Sequence, residues 1–290
     1  MKLLLIGASG VFGSKFYNDA VDKKWGVLGT FCSHESKGLK HLDVTDKREV
    51  EKMFNLSNPK VVVWCGGVTD VDFCERKPKL AEDVNIKGTL NLIKRVKERD
   101  IKLIFLSTDY VFDGEEGPYK ENDAPSPINV YGRTKLEAEE AIKGILKEFL
   151  IVRTAQLYGM DTRDNNFALK IIQNMRNKKI VSAADDFYCT PTYVGDLAAG
   201  VITLLEANKK GVYNVAGEEF LNRYEYVRKI AKVFSLDKSL IEKVKLKDLR
   251  LKAKRPKLAG LKVDKIISET GLEMLDCDDG LERLKKDLCF

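Results

Sequence analysis

Lys2-Leu3-Leu4-Leu5-Ile6-Gly7-Ala8-Ser9-Gly10-Val11-Phe12-Gly13 is the stretch that decides the fold. Its apolar run, Leu3 to Ile6, reads as a strand buried on both faces. Three glycines follow at the spacing G-x-x-G-x-x-G, and a helical pattern resumes at Gly13–Asp22. Glycine permits a tight turn and a close backbone approach, and the helix behind it offers unpaired N–H donors and partial positive charge. In this strand–turn–helix setting, Gly7, Ser9, Gly10, Val11, Phe12 and Gly13 read as a pyrophosphate-binding turn.

Outward from that turn, short apolar runs alternate with helical patterns. The runs are Val27–Phe31, Val61–Trp64, Leu103–Leu106 and Phe149–Val152. The helical segments between them are 47–54, 84–99 and 131–147. This alternation predicts an α/β fold: a doubly wound parallel sheet of the Rossmann type, covered on both faces. It loosens near residue 157. We therefore expect a dinucleotide-binding domain over 1–157 and a smaller C-terminal substrate lobe over 158–290, with segments returning to the sheet. The lysines scattered over residues 243–265 read as a solvated face, since no interleaved aromatics accompany them.

Composition narrows the function. The chain has 290 residues, 44% of them hydrophobic, which excludes disorder over most of its length. A net charge of +6 suits an anionic small ligand and gives no specific case for nucleic acid. No apolar run reaches the ~18 residues of a membrane span. The first apolar stretch is too short for a signal peptide, so the expected location is the cytoplasm, with no membrane partner. The six cysteines (Cys32, Cys65, Cys74, Cys189, Cys277, Cys289) show no C-x-x-C spacing and read as free thiols. With only two histidines, His34 and His41, neither a Ser-His-Asp triad nor a multi-histidine metal site is expected.

The remaining candidates lie at strand ends. An acidic residue at the end of the second strand would favour NAD. Here Phe31-Cys32-Ser33-His34 is followed by Glu35 and Lys37; the hydroxyl of Ser33, the imidazole of His34 and the ammonium of Lys37 suit a 2′-phosphate, and Glu35 reaching back is the competing reading. NADP(H) is thus favoured over NAD(H). Asp43 and Val44 are expected at the adenine edge, although Asp46 fits the helix cap that follows. Cys65, Gly66, Gly67 and Thr69 end the third run, where small residues let a cofactor cross the sheet edge. Thr108 ends the fourth. Tyr131 and Lys135, four apart, share one helix face. An ammonium beside a phenol favours the phenolate and lowers the tyrosine pKa.

Together, the Gly7–Gly13 turn, Ser107-Thr108-Asp109-Tyr110-Val111-Phe112-Asp113-Gly114 and Tyr131-Gly132-Arg133-Thr134-Lys135 resemble the extended short-chain dehydrogenases/reductases. More narrowly they resemble the dTDP-4-dehydrorhamnose reductase family. Ser126–Gly132, Asp164-Asn165-Asn166-Phe167, Cys189-Thr190-Pro191-Thr192 and Arg255-Pro256 extend the likeness over nearly the whole chain. The resemblance implies a soluble oxidoreductase that reduces a nucleotide-linked 4-keto-6-deoxy sugar with NAD(P)H. It implies Tyr131 as proton donor, with Lys135 lowering its pKa and holding the nicotinamide ribose, and Thr108 orienting the ketone. Asp109, Tyr110, Gln156, Asn166 and Thr190 fall in substrate-binding positions, and no metal is implied. A homodimer is compatible with the family.

Two departures matter. Gln156 stands where the family has Trp, so an amide replaces an indole at the sugar face. Tyr110 stands where the related sugar-nucleotide dehydratases have Glu, which argues against dehydration. The same likeness leaves two alternatives: an oxidoreductase or epimerase of another nucleotide sugar, and an NADP-binding regulatory subunit similar to the methionine adenosyltransferase β subunit.

Overall fold

The computed structural model describes residues 1–160 and 166–288. Asp164, Asn165 and Cys289 lie outside the described residues. Seven strands form one parallel sheet: β1 (Lys2–Ile6), β2 (Gly26–Phe31), β3 (Lys40–His41), β4 (Val61–Trp64), β5 (Lys102–Thr108), β6 (Phe149–Thr154) and β7 (Gly211–Asn214). Their order is β7-β6-β5-β4-β1-β2-β3. The chain builds outward from β1 in one direction, then crosses to β4 and builds in the other. The crevice at the carboxyl ends of β1 and β4 is therefore the place where an open α/β sheet holds a ligand.

Both faces of the sheet are covered, as the continuous apolar runs require. Leu3 and Leu5 join the core on one side with Phe12 and Phe16, whereas Leu4 and Ile6 join the other with Val62, Trp64 and Phe105. The helix Val11–Asp22 contributes Phe12, Phe16 and Ala20 to the first layer, and Lys47–Ser57 contributes Val50, Met53 and Phe54 to the second. Each such side chain is worth about 1.5–3 kcal/mol when fully buried.

The five expected runs are β1, β2, β4, β5 and β6. The two-residue β3 was not expected, because Lys40 and His41 are exposed and carry no apolar signature. The helical segment expected over 84–99 begins as a π turn, Asp83–Gly88, and continues as Thr89–Glu98. Within that turn Asn85 points inward. Its Oδ1 accepts from Val68 N at 2.8 Å, and its Nδ2 donates to Val68 O and to Thr134 Oγ1.

Beyond β6 the chain makes three small strand pairs. Leu157–Tyr158 pairs with Thr192–Tyr193, Tyr188–Cys189 with Leu221–Asn222, and Val181–Ala184 with Ile241–Val244. Lys243 and Lys245 of the lysine-rich segment are paired with Asp185 at the surface. Cys32, Cys65, Cys74, Cys189 and Cys277 are free. Among the described residues no helix is long and apolar enough to cross a membrane.

Candidate active site

A cleft of about 510 Å³ opens over the carboxyl ends of the central strands. Its first wall is the glycine turn. Gly7 has φ +92°, a left-handed conformation natural to glycine, and a Cβ at Gly13 would lie 2.1 Å from Gly7 O. Helix Val11–Asp22 thus starts with its backbone pressed against the turn. Gly10 is its N-cap and makes no side-chain cap bond, so no cap side chain takes the first N–H groups of the helix. The next wall is Cys32, Ser33 and His34 after β2, where Ser33 Oγ lies 2.9 Å from His34 Nδ1. Cys65, Gly66, Gly67 and Thr69 line the cleft after β4.

The far wall carries ionisable chemistry. Helix Val130–Ile145 is capped by Asn129, whose Oδ1 accepts from Gly132 N at 2.8 Å. From its first turns Tyr131 and Lys135 reach the cleft, where they meet Thr108 from the end of β5. Thr108 Oγ1 donates to Asp109 Oδ1 at 3.1 Å and accepts from Tyr110 N at 3.2 Å. Asp109, Tyr110, Gln156 and Asn166 complete this end. Gln156 has φ +37°, a left-handed position for a residue with a side chain. Asn166 lines the cleft, but its amide is engaged: Oδ1 accepts from Leu169 N and Nδ2 donates to Gly159 O.

Burial governs the protonation states here. It pushes the Tyr131 phenol well above its ordinary value, and the Thr108 hydroxyl pulls it only partly back. This is opposite to the lowering expected from Lys135, because desolvation of the phenolate dominates. Burial depresses Lys135 to about 8, against the Glu139 carboxylate, which favours the charged form. The Lys135 ammonium sits 4.0 Å from the Phe105 ring centroid. Burial raises Asp109 to about 7, against the Thr108 hydrogen bond and the positive charge of Arg223.

Below this wall lies a buried ion pair that the sequence reading did not single out. Arg153 donates to Glu139 twice, Nη2 to Oε2 at 2.6 Å and Nε to Oε1 at 3.0 Å, and Ser107 Oγ donates to Glu139 Oε1 at 2.5 Å. Both charged side chains are essentially sealed from solvent. The pair ties the helix carrying Tyr131 and Lys135 to the ends of β5 and β6. One signal was available: Glu139 continues the four-residue stripe of Tyr131 and Lys135. Thr154, opposite Thr108 in the sheet register, also lines the cleft unforeseen.

Three expected residues are not in the cleft. Asp43 is folded onto its own loop, its Oδ1 accepting from Thr45 N and Thr45 Oγ1, both at 2.8 Å. Val44 is buried in the second core layer against Gly88. Thr190 is buried, with its hydroxyl accepting from Leu261 N. Asp46 caps helix Lys47–Ser57 through Arg48 N at 2.7 Å.

Comparison with known proteins gives a consistent picture. The family model described as RmlD substrate binding domain matches residues 1–289. The probable low-salt glycan biosynthesis reductase Agl14 of Haloferax volcanii is 32% identical, over 98% of this chain and 97% of its own. Methionine adenosyltransferase 2 subunit beta of Xenopus tropicalis is 31% identical, over 82% of this chain and 73% of its own. Among solved structures, dTDP-4-dehydrorhamnose reductase of Bacillus anthracis in complex with NADP superposes with a TM-score of 0.90. It is 28% identical, over 99% of this chain and 100% of that one.

Proposed function

The chain belongs to the RmlD substrate binding domain family, and from that premise we propose that it is a nicotinamide-dependent reductase of nucleotide-linked sugars. The finer reading is NAD(P)H-dependent reduction of a 4-keto-6-deoxy sugar to the alcohol, as in dTDP-L-rhamnose formation. The observation that carries it is the convergence of Thr108, Tyr131 and Lys135 in one cleft with the glycine turn.

The walls fit the cofactor. At Gly10 an added Cβ meets only Gly7 O, at 3.4 Å, so the hydrogen of Gly10 leaves room for a pyrophosphate against the helix N-terminus. Ser33 and His34 are the partners for a 2′-phosphate, and they carry the preference for NADP(H). The bound nicotinamide supplies the hydride for the ketone carbon. Tyr131 donates the accompanying proton to the ketone oxygen. Its burial keeps the phenol protonated through neutral pH, which is the state a donor needs. Thr108 holds the same oxygen by its hydroxyl. Lys135, with a pKa of about 8, is mostly charged at pH 7 and stabilises the tyrosinate left behind. Asp109, Tyr110 and Gln156 face the sugar.

The test is oxidation of NADPH, followed by absorbance, with dTDP-6-deoxy-L-lyxo-4-hexulose as substrate and NADH run alongside. Turnover on the order of 1 s⁻¹ is the expected result, faster with NADPH. A second reading, an NADP-binding regulatory subunit, is favoured by the likeness to methionine adenosyltransferase 2 subunit beta and by Gln156. NADPH binding without turnover of any 4-keto sugar nucleotide, and co-purification of a catalytic partner, is the outcome that selects it.

A further inference from the structure

Thr108 ends β5 and also caps the short turn Asp109–Val111 that follows it. Its hydroxyl accepts from Tyr110 N, as a threonine at such a position commonly does. That bond fixes the side chain and takes one lone pair. The hydroxyl has a single hydrogen to give, and it goes to Asp109 Oδ1 at 3.1 Å. Both residues are buried, so water does not compete freely for that hydrogen.

Ketone reduction asks the same hydrogen to serve elsewhere. In the reductase reading Thr108 holds the ketone oxygen, and the Tyr131 phenol lies beside the same hydroxyl. A carboxylate only accepts, so an ionised Asp109 keeps the hydrogen. A protonated Asp109 is itself a donor. It can give its O–H to the second lone pair of Thr108 Oγ1, and the Thr108 hydrogen is then free to turn to the ketone.

Groups on several elements bear on Asp109. Arg223, at the start of helix Arg223–Val233, favours the carboxylate, as do Thr108 and the backbone N–H groups of Asp109 and Tyr110. The negative charge of that carboxylate is felt by Tyr131 on helix Val130–Ile145, by Cys189 on its short strand and by Tyr110 in the same turn. Burial outweighs the favourable partners and raises the carboxyl to about 7. Both of its states are therefore populated around neutral pH.

We propose that Asp109 acts through Thr108 as a switch: the carboxyl form releases the hydroxyl hydrogen to the ketone oxygen, and the carboxylate form withholds it. This rests on the reductase reading. No proton leaves Asp109 or Thr108 in the reaction, since Tyr131 supplies the one that the alcohol gains. The competing explanation is a direct effect of the Asp109 charge on Tyr131.

The first experiment is the pH profile of kcat/KM for dTDP-6-deoxy-L-lyxo-4-hexulose at saturating NADPH, for wild type, Asp109→Asn and Thr108→Val. This quantity reports the ionisations of the NADPH-loaded protein before the sugar binds. Wild type is expected to lose about fourfold between pH 6 and pH 7.5, following a group of pKa about 7. In Asp109→Asn the fall moves up to that of Lys135, at about 8, whatever the absolute rate. In Thr108→Val, slower throughout, it moves in the same way, because the hydrogen under control is gone. Thr108→Val keeps the shape of the side chain and decides the matter alone if Asp109→Asn does not fold. A wild-type profile flat to pH 7.5, or a fall near pH 7 that survives in Asp109→Asn, overturns the proposal. A fall that survives in Thr108→Val assigns it to the direct charge effect and overturns the switch as well.

The second measurement needs no turnover. Carboxyl-carbon NMR of the aspartate-labelled, NADPH-loaded protein follows the signal that is missing from Asp109→Asn. Thr108→Val should move its titration midpoint upward by about one pH unit, since the carboxylate has lost a donor. An unmoved midpoint overturns the switch even where the sugar is reduced. A moved midpoint without turnover of any 4-keto sugar nucleotide removes the reductase reading and leaves the Thr108 hydrogen under the control of Asp109.

Discussion

At one end of the cleft the walls are backbone: Gly7, Gly10 and Gly13 with the N-terminus of helix Val11–Asp22, and no Asp, Glu, Lys or Arg side chain among the lining residues. At the other end they are side chains: Thr108, Asp109, Tyr110, Tyr131 and Lys135, backed by Glu139, Arg153 and Arg223. The glycine end offers backbone N–H dipoles, which need no counter-charge. The Tyr131 end concentrates buried ionisable groups, and burial shifts Asp109, Tyr110, Tyr131 and Lys135 among them, which is the pattern of a place where protons can move. The difference teaches that rigidity and chemistry are placed on separate strands of one sheet, β1 for the first and β5 for the second.

The largest effect is expected where the two ends meet. Tyr131→Phe removes one oxygen and leaves the ring. Turnover should fall by about 10²–10⁴, with NADPH affinity within about threefold, because the lost interaction belongs to the transition state. Steady-state kinetics and a binding titration check this. Near wild-type turnover would take the proton donor away from Tyr131 and collapse the contrast drawn above.

Gly10→Val comes next and bears on the glycine end alone. The added Cβ has only Gly7 O near it, at 3.4 Å, so the fold tolerates it. The rest of the side chain fills the room against the helix N-terminus, and NADPH affinity should fall about 100-fold, about 2.7 kcal/mol. The melting temperature should hardly change. Gly13→Val is the control: its Cβ meets backbone at 2.1 Å, so structure and cofactor binding are lost together. Unchanged NADPH affinity in Gly10→Val would take the turn out of the site.

The same contrast explains what could be read from the sequence. The glycine turn was legible because its signals are local: an apolar run, three glycines and a helix start within a dozen residues. Tyr131 and Lys135 were legible because four-residue spacing fixes a helix face. Asp43 and Val44 do not line the cleft: the Asp43 carboxylate accepts from Thr45, and Val44 turns into the core. Thr190 does not line it either; it is buried just after the strand Tyr188–Cys189, and its hydroxyl accepts from Leu261 N. Thr154 and Arg153 left no local trace. Their places in and beneath the site come from partners distant in sequence, Thr108 across the sheet from Thr154 and Glu139 against Arg153. The expected lowering of the Tyr131 pKa failed for the same reason: spacing reveals a neighbouring ammonium but not the desolvation that outweighs it.

The smallest effect is the one that measures the cost of the Tyr131 end. The Asp109 carboxyl has a pKa of about 7 in the fold, against 3.8 for the free group, because burial penalises the ionised form. Between those values the folded state binds more protons than the unfolded state. Stability therefore falls as pH rises through that window, and the loss is complete above pH 7. Asp109→Asn is neutral at every pH and removes this slope. The melting temperature of the variant relative to wild type should move upward by several degrees between pH 5 and pH 8, at roughly 2 °C per kcal/mol for a chain of this size. At pH 5 the two proteins should lie closest, since wild-type Asp109 is then itself protonated in the fold. Melting curves at the two pH values decide the matter. A pH-independent difference would mean that Asp109 is ionised in the folded protein across the whole range. In that case the Asp109 carboxylate would be balanced by the Arg223 charge that reaches it, as Glu139 is balanced by Arg153 beneath the same wall.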